Sequence, residues 1–300
     1  MDIIRVDQSG MGMWRGRCQL MYYWAYVLGI EKKGKANPDS VFNQGSIAHE
    51  ALAVIYHPDT WMDLNAAKKV LKDKWLDLKA KDVAADDPDR FLSWSNLLLE
   101  TNNSFESYFN TYADYDSQYF EPVGPEVPFR FRLHEQVEYY GKIDAIVRWK
   151  KDAPPVPCDT SPNPRKGDGR LWFPEFKFYK TPEEHPAYIE WDPQLSSYSM
   201  VGRGLFGKDG FGGMLNRVNR KVDSAKLPNH FCHVVERSTD QLLFTAKDIV
   251  VQALQMKYIL DHPMGVHFLV PLKDGFPYSW SNTCVNCEFN RPLCQAFRTG

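Results

Sequence analysis

Two short segments, Gly141-Lys142-Ile143-Asp144-Ala145-Ile146-Val147 and Phe173-Pro174-Glu175-Phe176-Lys177-Phe178, decide how this 300-residue chain is read. Apolar residues fill or alternate through both, so both read as β-strands. Each carries charge where a buried strand normally has none. Asp144 sits between Ile143 and Ala145, and Glu175 and Lys177 are two residues apart, hence on one face of their strand. One carboxylate beside an E-x-K pair is a compact way to hold a hard divalent cation with a positive charge next to it. A surface hairpin with a cross-strand ion pair fits these two segments equally well, so their surroundings have to decide.

Composition sets the limits. A hydrophobic fraction of 43% supports a substantial core, and a net charge of −2 argues against a polycation that coats nucleic acid. It does not argue against a nuclease, whose own site is acidic. No apolar run approaches the ~20 residues of a membrane span. The N-terminus, Met1-Asp2-Ile3-Ile4-Arg5-Val6-Asp7, lacks the basic-then-apolar layout of a secretory signal. A cytoplasmic protein with reduced thiols is therefore expected, and its six cysteines call for a reason other than disulfides.

Outward from the two strands, the chain is expected to be α/β. Met11–Ile30 has aromatics at helical spacing and includes Cys18. Asn43 or Ser46 is a candidate cap for a helix carrying His49 and Glu50. Residues 61–81 and 91–120 read as helices. The acidic run from Asp82 to Glu121, with Arg90 as its only basic residue, reads as a solvated face. Strands follow at Val127–Leu133 and Val137–Trp149, then a proline-rich loop over 150–170, then a strand at Leu171–Tyr179. Asp192-Pro193 opens a helix on which Gln194 and Tyr198 share a face. Met214–Val222 and Phe231–Glu236 read as strands and 246–261 as a helix. From Arg203 to Arg237 basic residues outnumber acidic ones. Arg217, Arg220 and Lys221 are candidates for contacts to DNA phosphates, or else form an exposed basic edge strand.

The C-terminus holds Cys284-Val285-Asn286-Cys287 and, after six residues, Cys294. A C-x2-C pair lets two thiolates hold one metal or cluster, Cys294 adds a third, and distant Cys18 is the natural fourth.

The motif order is Cys18, Gly45-x-x-x-His49, Gly141-x-Ile143-Asp144, Glu175-x-Lys177, Gln194-x-x-x-Tyr198 and the cysteine cluster. In this order the chain resembles the PD-(D/E)XK nuclease superfamily. More narrowly it resembles the RecB-like and CRISPR-associated exonucleases with an iron–sulfur cluster, of which a phage-type member is one form. The resemblance implies a restriction-endonuclease-like core, a central mixed β-sheet flanked by helices, within one domain spanning 1–300. Residues 1–121 would be mainly helical, 122–261 the nuclease core, and 262–300 an iron–sulfur segment closing onto Cys18.

It further implies that His49, Asp144, Glu175 and the backbone carbonyl of Phe176 hold Mg2+ or Mn2+. Lys177 would polarise the scissile phosphate, and Gln194 and Tyr198 would position DNA or support the site. Cys18, Cys284, Cys287 and Cys294 would ligate a 4Fe–4S cluster, with zinc the less favoured occupant. The implied activity is metal-dependent exonucleolytic hydrolysis of DNA in recombination, repair or replication, in the cytoplasm, or the host's if phage-encoded. A non-catalytic DNA-binding subunit and a CRISPR spacer-processing nuclease, which works with protein partners, are the alternatives. Purified without oxygen, the protein is expected to be brown and to absorb near ~400 nm from thiolate–iron charge transfer. A colourless, zinc-containing preparation would reassign the cysteines to zinc.

Overall fold

The computed structural model describes residues 3–16, 22, 26, 38, 41–82, 87–155, 166–179, 189, 192–219 and 230–261. Cys18, Cys158, Arg220, Lys221 and the cysteines from 284 to 294 lie outside them. The chain forms two compact units, one of residues 1–35, 130–141 and 246–300, the other of residues 36–129 and 142–245.

The elements in chain order are β1 (Ile4–Val6), α1 (Gln8–Gly16), α2 (Val41–Ile55), α3 (Leu64–Ala80), α4 (Pro88–Tyr119), β2 (Phe120–His134), β3 (Val137–Trp149), β4 (Leu171–Tyr179), α5 (Pro193–Phe206), β5 (Gly210–Asn219), β6 (Phe231–Glu236) and α6 (Thr239–Asp261). The strands form a mixed sheet in the order β1-β3-β4-β5-β6, with β2 paired to β3. This is the α/β architecture of a central mixed sheet with helices against it. Among the described residues, no helix is long and apolar enough to cross a membrane.

In the smaller unit β1 runs parallel to the start of β3, with Ile4 opposite Val137 and Val6 opposite Tyr139. The aromatic recurrence seen in sequence is used for packing there. Trp14 meets Tyr22 edge-on at 5.5 Å, and Tyr22 stacks on Tyr26 at 5.0 Å.

In the larger unit β4 is central, antiparallel to β3 and parallel to β5, which pairs antiparallel with β6. A strand paired on both sides and covered on both faces carries continuous apolar sequence, and Leu171–Phe176 is buried throughout. Side-chain alternation then separates two faces. Trp172 and Phe176 join Ala145, Val147 and Met214 in the main core beneath α2, α3 and α4. Burial of a side chain such as Phe176 contributes about 2–3 kcal/mol. On the other face Leu215 and Val235 pack against Leu195 of α5.

Asp192 caps α5, its side chain accepting from the N–H groups of Gln194 and Leu195 at 2.9 Å, with Pro193 at the first helical position. Gly202 lets α5 lie close on the sheet, because a Cβ there would fall 2.0 Å from the Phe173 ring.

Three expectations need correction. Neither Asn43 nor Ser46 caps α2; the helix starts at Val41 and both residues lie inside it, Asn43 buried. The strand carrying Arg217 is not an edge strand, since β5 lies between β4 and β6. The acidic run is not wholly a solvated face either. Asp116 of α4 is buried, accepts a hydrogen bond from Tyr56 Oη, and that hydroxyl also lies 3.3 Å from Tyr108 Oη.

Burial pushes the Asp116 carboxyl up to about 7, a rise only partly offset by the Tyr56 hydrogen bond. The folded chain therefore keeps this proton through the range in which an unfolded chain, titrating near 3.8, has already lost it. The neutral acid's stabilisation is full below about pH 4 and is lost as pH rises through about 7, a change on the order of 4 kcal/mol. Urea unfolding at several pH values is expected to show that decline. Asp116→Asn, which cannot ionise, is expected to flatten it.

Candidate active site

The site arises where the pairing of β3 and β4 changes character. Registered pairs are Val147 with Trp172 and Arg148 with Leu171. Continuing this antiparallel register sets Pro174 opposite Ala145 and Asp144 opposite Glu175. Pro174 has no N–H to donate to β3. One step on, the Phe176 N–H, directed to the same side, donates to Asp144 Oδ2 at 3.4 Å. A side-chain carboxylate has taken the place of a ladder carbonyl, and the strand pair opens a gap that charged groups fill.

Those groups reach the gap from both faces of the sheet. Ala48, Ala51 and Leu52 of α2 are buried against the core, and this packing carries His49 to the strand ends. His49 Nε2 is 3.1 Å from the Phe176 carbonyl oxygen, and Nδ1 is 3.4 Å from Asp144 Oδ2. Glu175 projects from the α5 face with its side chain 1% exposed, ion-paired with Lys177. No well-formed hydrogen bond reaches either of its buried oxygens. Lys177 Nζ also donates to Gln194 Oε1 at 2.8 Å, and Gln194 Nε2 donates to Tyr198 Oη at 3.1 Å. The i,i+4 pair on α5 is thus a brace that aims the lysine.

Electrostatics follow from this crowding. Burial raises both Asp144 and Glu175 above the ordinary carboxylate range. The nearby Asp144 charge adds to the rise at Glu175, and Lys177 opposes it at both. Burial would push the Lys177 ammonium down, but Glu175, Asp144 and Asp192 outweigh it and hold the group above the usual lysine value. Burial lowers His49, which favours the neutral imidazole that metals bind. Burial and the two carboxylates hold the Tyr198 hydroxyl well above its usual range, so it stays protonated.

One member was not legible in the sequence. Glu126 of β2 offers a carboxylate oxygen that, with ligand atoms of His49 and Asp144, forms a set all within 4.8 Å of one another. It lies between Pro125 and Pro128, just before the strand expected at Val127–Leu133, where an acid is unremarkable. One local signal marks it in the structure: its φ is 50°, a left-handed conformation uncommon for a non-glycine residue.

The donor set suits a hard or borderline dication. It combines two carboxylates, an imidazole and, beside them, a backbone carbonyl. Glu175 is not among the residues of that set; its buried carboxylate lies beside Lys177.

Arg217 is placed otherwise than as a phosphate contact. It is 2% exposed, with its guanidinium over the Tyr179 ring at 4.6 Å. A side chain so enclosed presents no charge to a DNA backbone. Arg220, Lys221, Cys18, Cys284, Cys287 and Cys294 fall outside the described residues.

Residues 16–156 match the family model of the PD-(D/E)XK nuclease superfamily. The matched span contains His49, Glu126 and Asp144 and ends before Glu175 and Lys177. Nucleases of this superfamily use divalent metals, and metal-dependent nuclease activity on DNA is what the match suggests. No curated protein matches the chain.

Protons and metal compete for the Asp144–Glu175 pair, because a carboxyl raised by burial must lose its proton to ligate. Calorimetric titration with Mn2+ is expected to show affinity and proton release that change with pH. Affinity should strengthen from about pH 6 to about pH 9, across the value of about 8 to which burial raises Glu175. Affinity that is flat over that range would show that Glu175 is not a ligand.

Proposed function

We propose that this protein is a metal-dependent DNA nuclease of the RecB-like type that hydrolyses phosphodiester bonds as an exonuclease, with Mg2+ or Mn2+ held by His49, Glu126, Asp144, Glu175 and the Phe176 carbonyl. The observation that carries the reading is the convergence of these groups, with Lys177, on the gap between β3 and β4. Motifs separated by more than a hundred residues in sequence meet within hydrogen-bonding reach. A dication in this donor set supplies an activated water and neutralises charge on the phosphate and the leaving oxygen.

The chain's own residues have separable roles. Asp144 and Glu175 provide negative charge where it is hardest to solvate. Phe176 links Asp144 to His49, its N–H donating to Asp144 and its carbonyl lying against the imidazole. Lys177 is held charged by its carboxylate neighbours. This supports an electrostatic role on the phosphate rather than proton abstraction. Gln194 and Tyr198 fix the lysine's direction, so that no reorientation is needed as charge develops.

In recombination, repair or replication such an enzyme acts on DNA ends, and the 4Fe–4S cluster on Cys18, Cys284, Cys287 and Cys294 is a structural staple. These finer assignments rest on the order of the sequence motifs.

The test is a labelled-oligonucleotide assay on single-stranded and duplex DNA with Mg2+, Mn2+ or EDTA. Cleavage from ends that needs metal is expected. Lys177→Ala is expected to reduce it by about 10²-fold or more, and Asp144→Ala and Glu175→Ala are expected to abolish it. Full activity in any of the three as a folded protein would refute the assignment. DNA binding without metal-dependent cleavage in the wild type would point to the non-catalytic alternative.

A further inference from the structure

With Arg217 enclosed, the described part of the chain needs another cation beside the site to engage DNA. Lys177 is committed to the scissile phosphate. Its ammonium is turned inward to Glu175 and Gln194, and its side chain is 38% exposed. Lys142 presents the opposite picture. It stands two residues before Asp144 on β3, and side chains at i and i+2 share a face. Two residues of strand separate them by about 6.7 Å. Its side chain is 62% exposed even though its ammonium is ion-paired with Glu126. An ammonium has three donors, and one engaged with Glu126 leaves two for another acceptor.

The pairing with Glu126 is specific in kind. Glu126 belongs to the candidate ligand set with His49 and Asp144, and its backbone is left-handed, with φ of 50°. Lys142 is thereby tethered at the rim of the candidate metal site by one of that site's own carboxylates. The charge nearest it is negative, from Glu126, Glu50 and Asp144, and this repels DNA, itself an anion. A tethered outward cation lowers that barrier where it is greatest.

We propose that Lys142 is a DNA-positioning residue that contacts a backbone phosphate next to the scissile one while Glu126 holds its side chain in place. The inference rests on the nuclease reading above and adds a recognition element to the same site. A phosphate contact of this kind carries no sequence information. It fixes the register of the strand against the metal and Lys177.

The decisive comparison uses the full chain with Lys142→Gln and Lys142→Arg. Binding of a labelled 20-nucleotide single strand, and of its duplex, is measured in Ca2+ across a series of salt concentrations. KM and kcat are measured in Mn2+, and Mn2+ affinity by calorimetry without DNA. For Lys142→Gln the expected result is DNA affinity about 5–10-fold weaker. The slope of log K against log salt should fall by about 0.9 for duplex or 0.7 for single strand, the loss of one phosphate contact. KM should rise more than kcat falls. Mn2+ affinity should be no weaker than in the wild type, because the ligands stay in place and a competing positive charge is removed. Lys142→Arg should restore DNA affinity and slope.

An unchanged salt slope with weakened Mn2+ affinity would overturn the proposal and leave Lys142 as a support for Glu126. An unchanged slope with unchanged metal affinity would equally overturn it. Absence of metal or DNA binding by the wild type would instead refute the nuclease reading, so the two failures are distinguishable.

Discussion

The arrangement depends on a single break in hydrogen bonding between two adjacent strands. β3 and β4 begin as an ordinary antiparallel pair, and Pro174 then withholds the N–H that the next ladder bond needs. Beyond it, the Phe176 backbone is satisfied by functional side chains: its N–H by Asp144 and its carbonyl by His49. Buried backbone groups must find partners. Here that requirement ties a carboxylate and an imidazole to the same residue. In the gap, groups from both faces of the sheet meet: His49 from α2, and Glu175 and Lys177 from the α5 side.

The helices divide that work. Small buried residues on α2 bring its backbone close to the core, so that a histidine side chain spans the remaining distance. On the opposite face, Gly202 lets α5 sit close over β4, and the Asp192 cap fixes where the helix begins. Gln194 and Tyr198 then fall where they brace Lys177. The cap has a second effect, since the Asp192 charge also helps hold Lys177 protonated. A residue that reads as local helix chemistry thus contributes to the electrostatics of a neighbouring strand.

Burying Asp144 and Glu175 near one another is unfavourable for folding, and the raised pKa values express that cost. Structural needs do not explain it, because apolar residues in their places would pack a central sheet better. Functional sites commonly hold such local conflict. Asp116 shows the contrast. It is equally buried, but as the acceptor of the Tyr56 hydroxyl within an aromatic core it is satisfied as a neutral acid and lies outside the site. A perturbed carboxyl by itself is therefore weak evidence of function, and the metal-ligand geometry separates the two cases.

The sequence by itself determined the α/β class, the extents of β3, β4 and β6, and the cap of α5. Each of these is encoded locally, by alternation, by β-branched and aromatic runs, or by Asp-Pro chemistry. It also marked His49, Asp144, Glu175, Lys177, Gln194 and Tyr198, through the order of the motifs and the resemblance which that order carries and not through any one of them alone. Three features were decided by tertiary structure. Glu126 enters the ligand set because β2 folds alongside β3 with an unusual backbone angle that no local pattern announces. Arg217 leaves the DNA-contacting set because its side chain is buried with its guanidinium over the Tyr179 ring of the neighbouring strand. Lys142 acquires its place because Glu126 is there to hold it. Periodicity records which face of a strand a residue occupies. What lies against that face depends on chain segments far away in sequence, and those are brought together by packing alone.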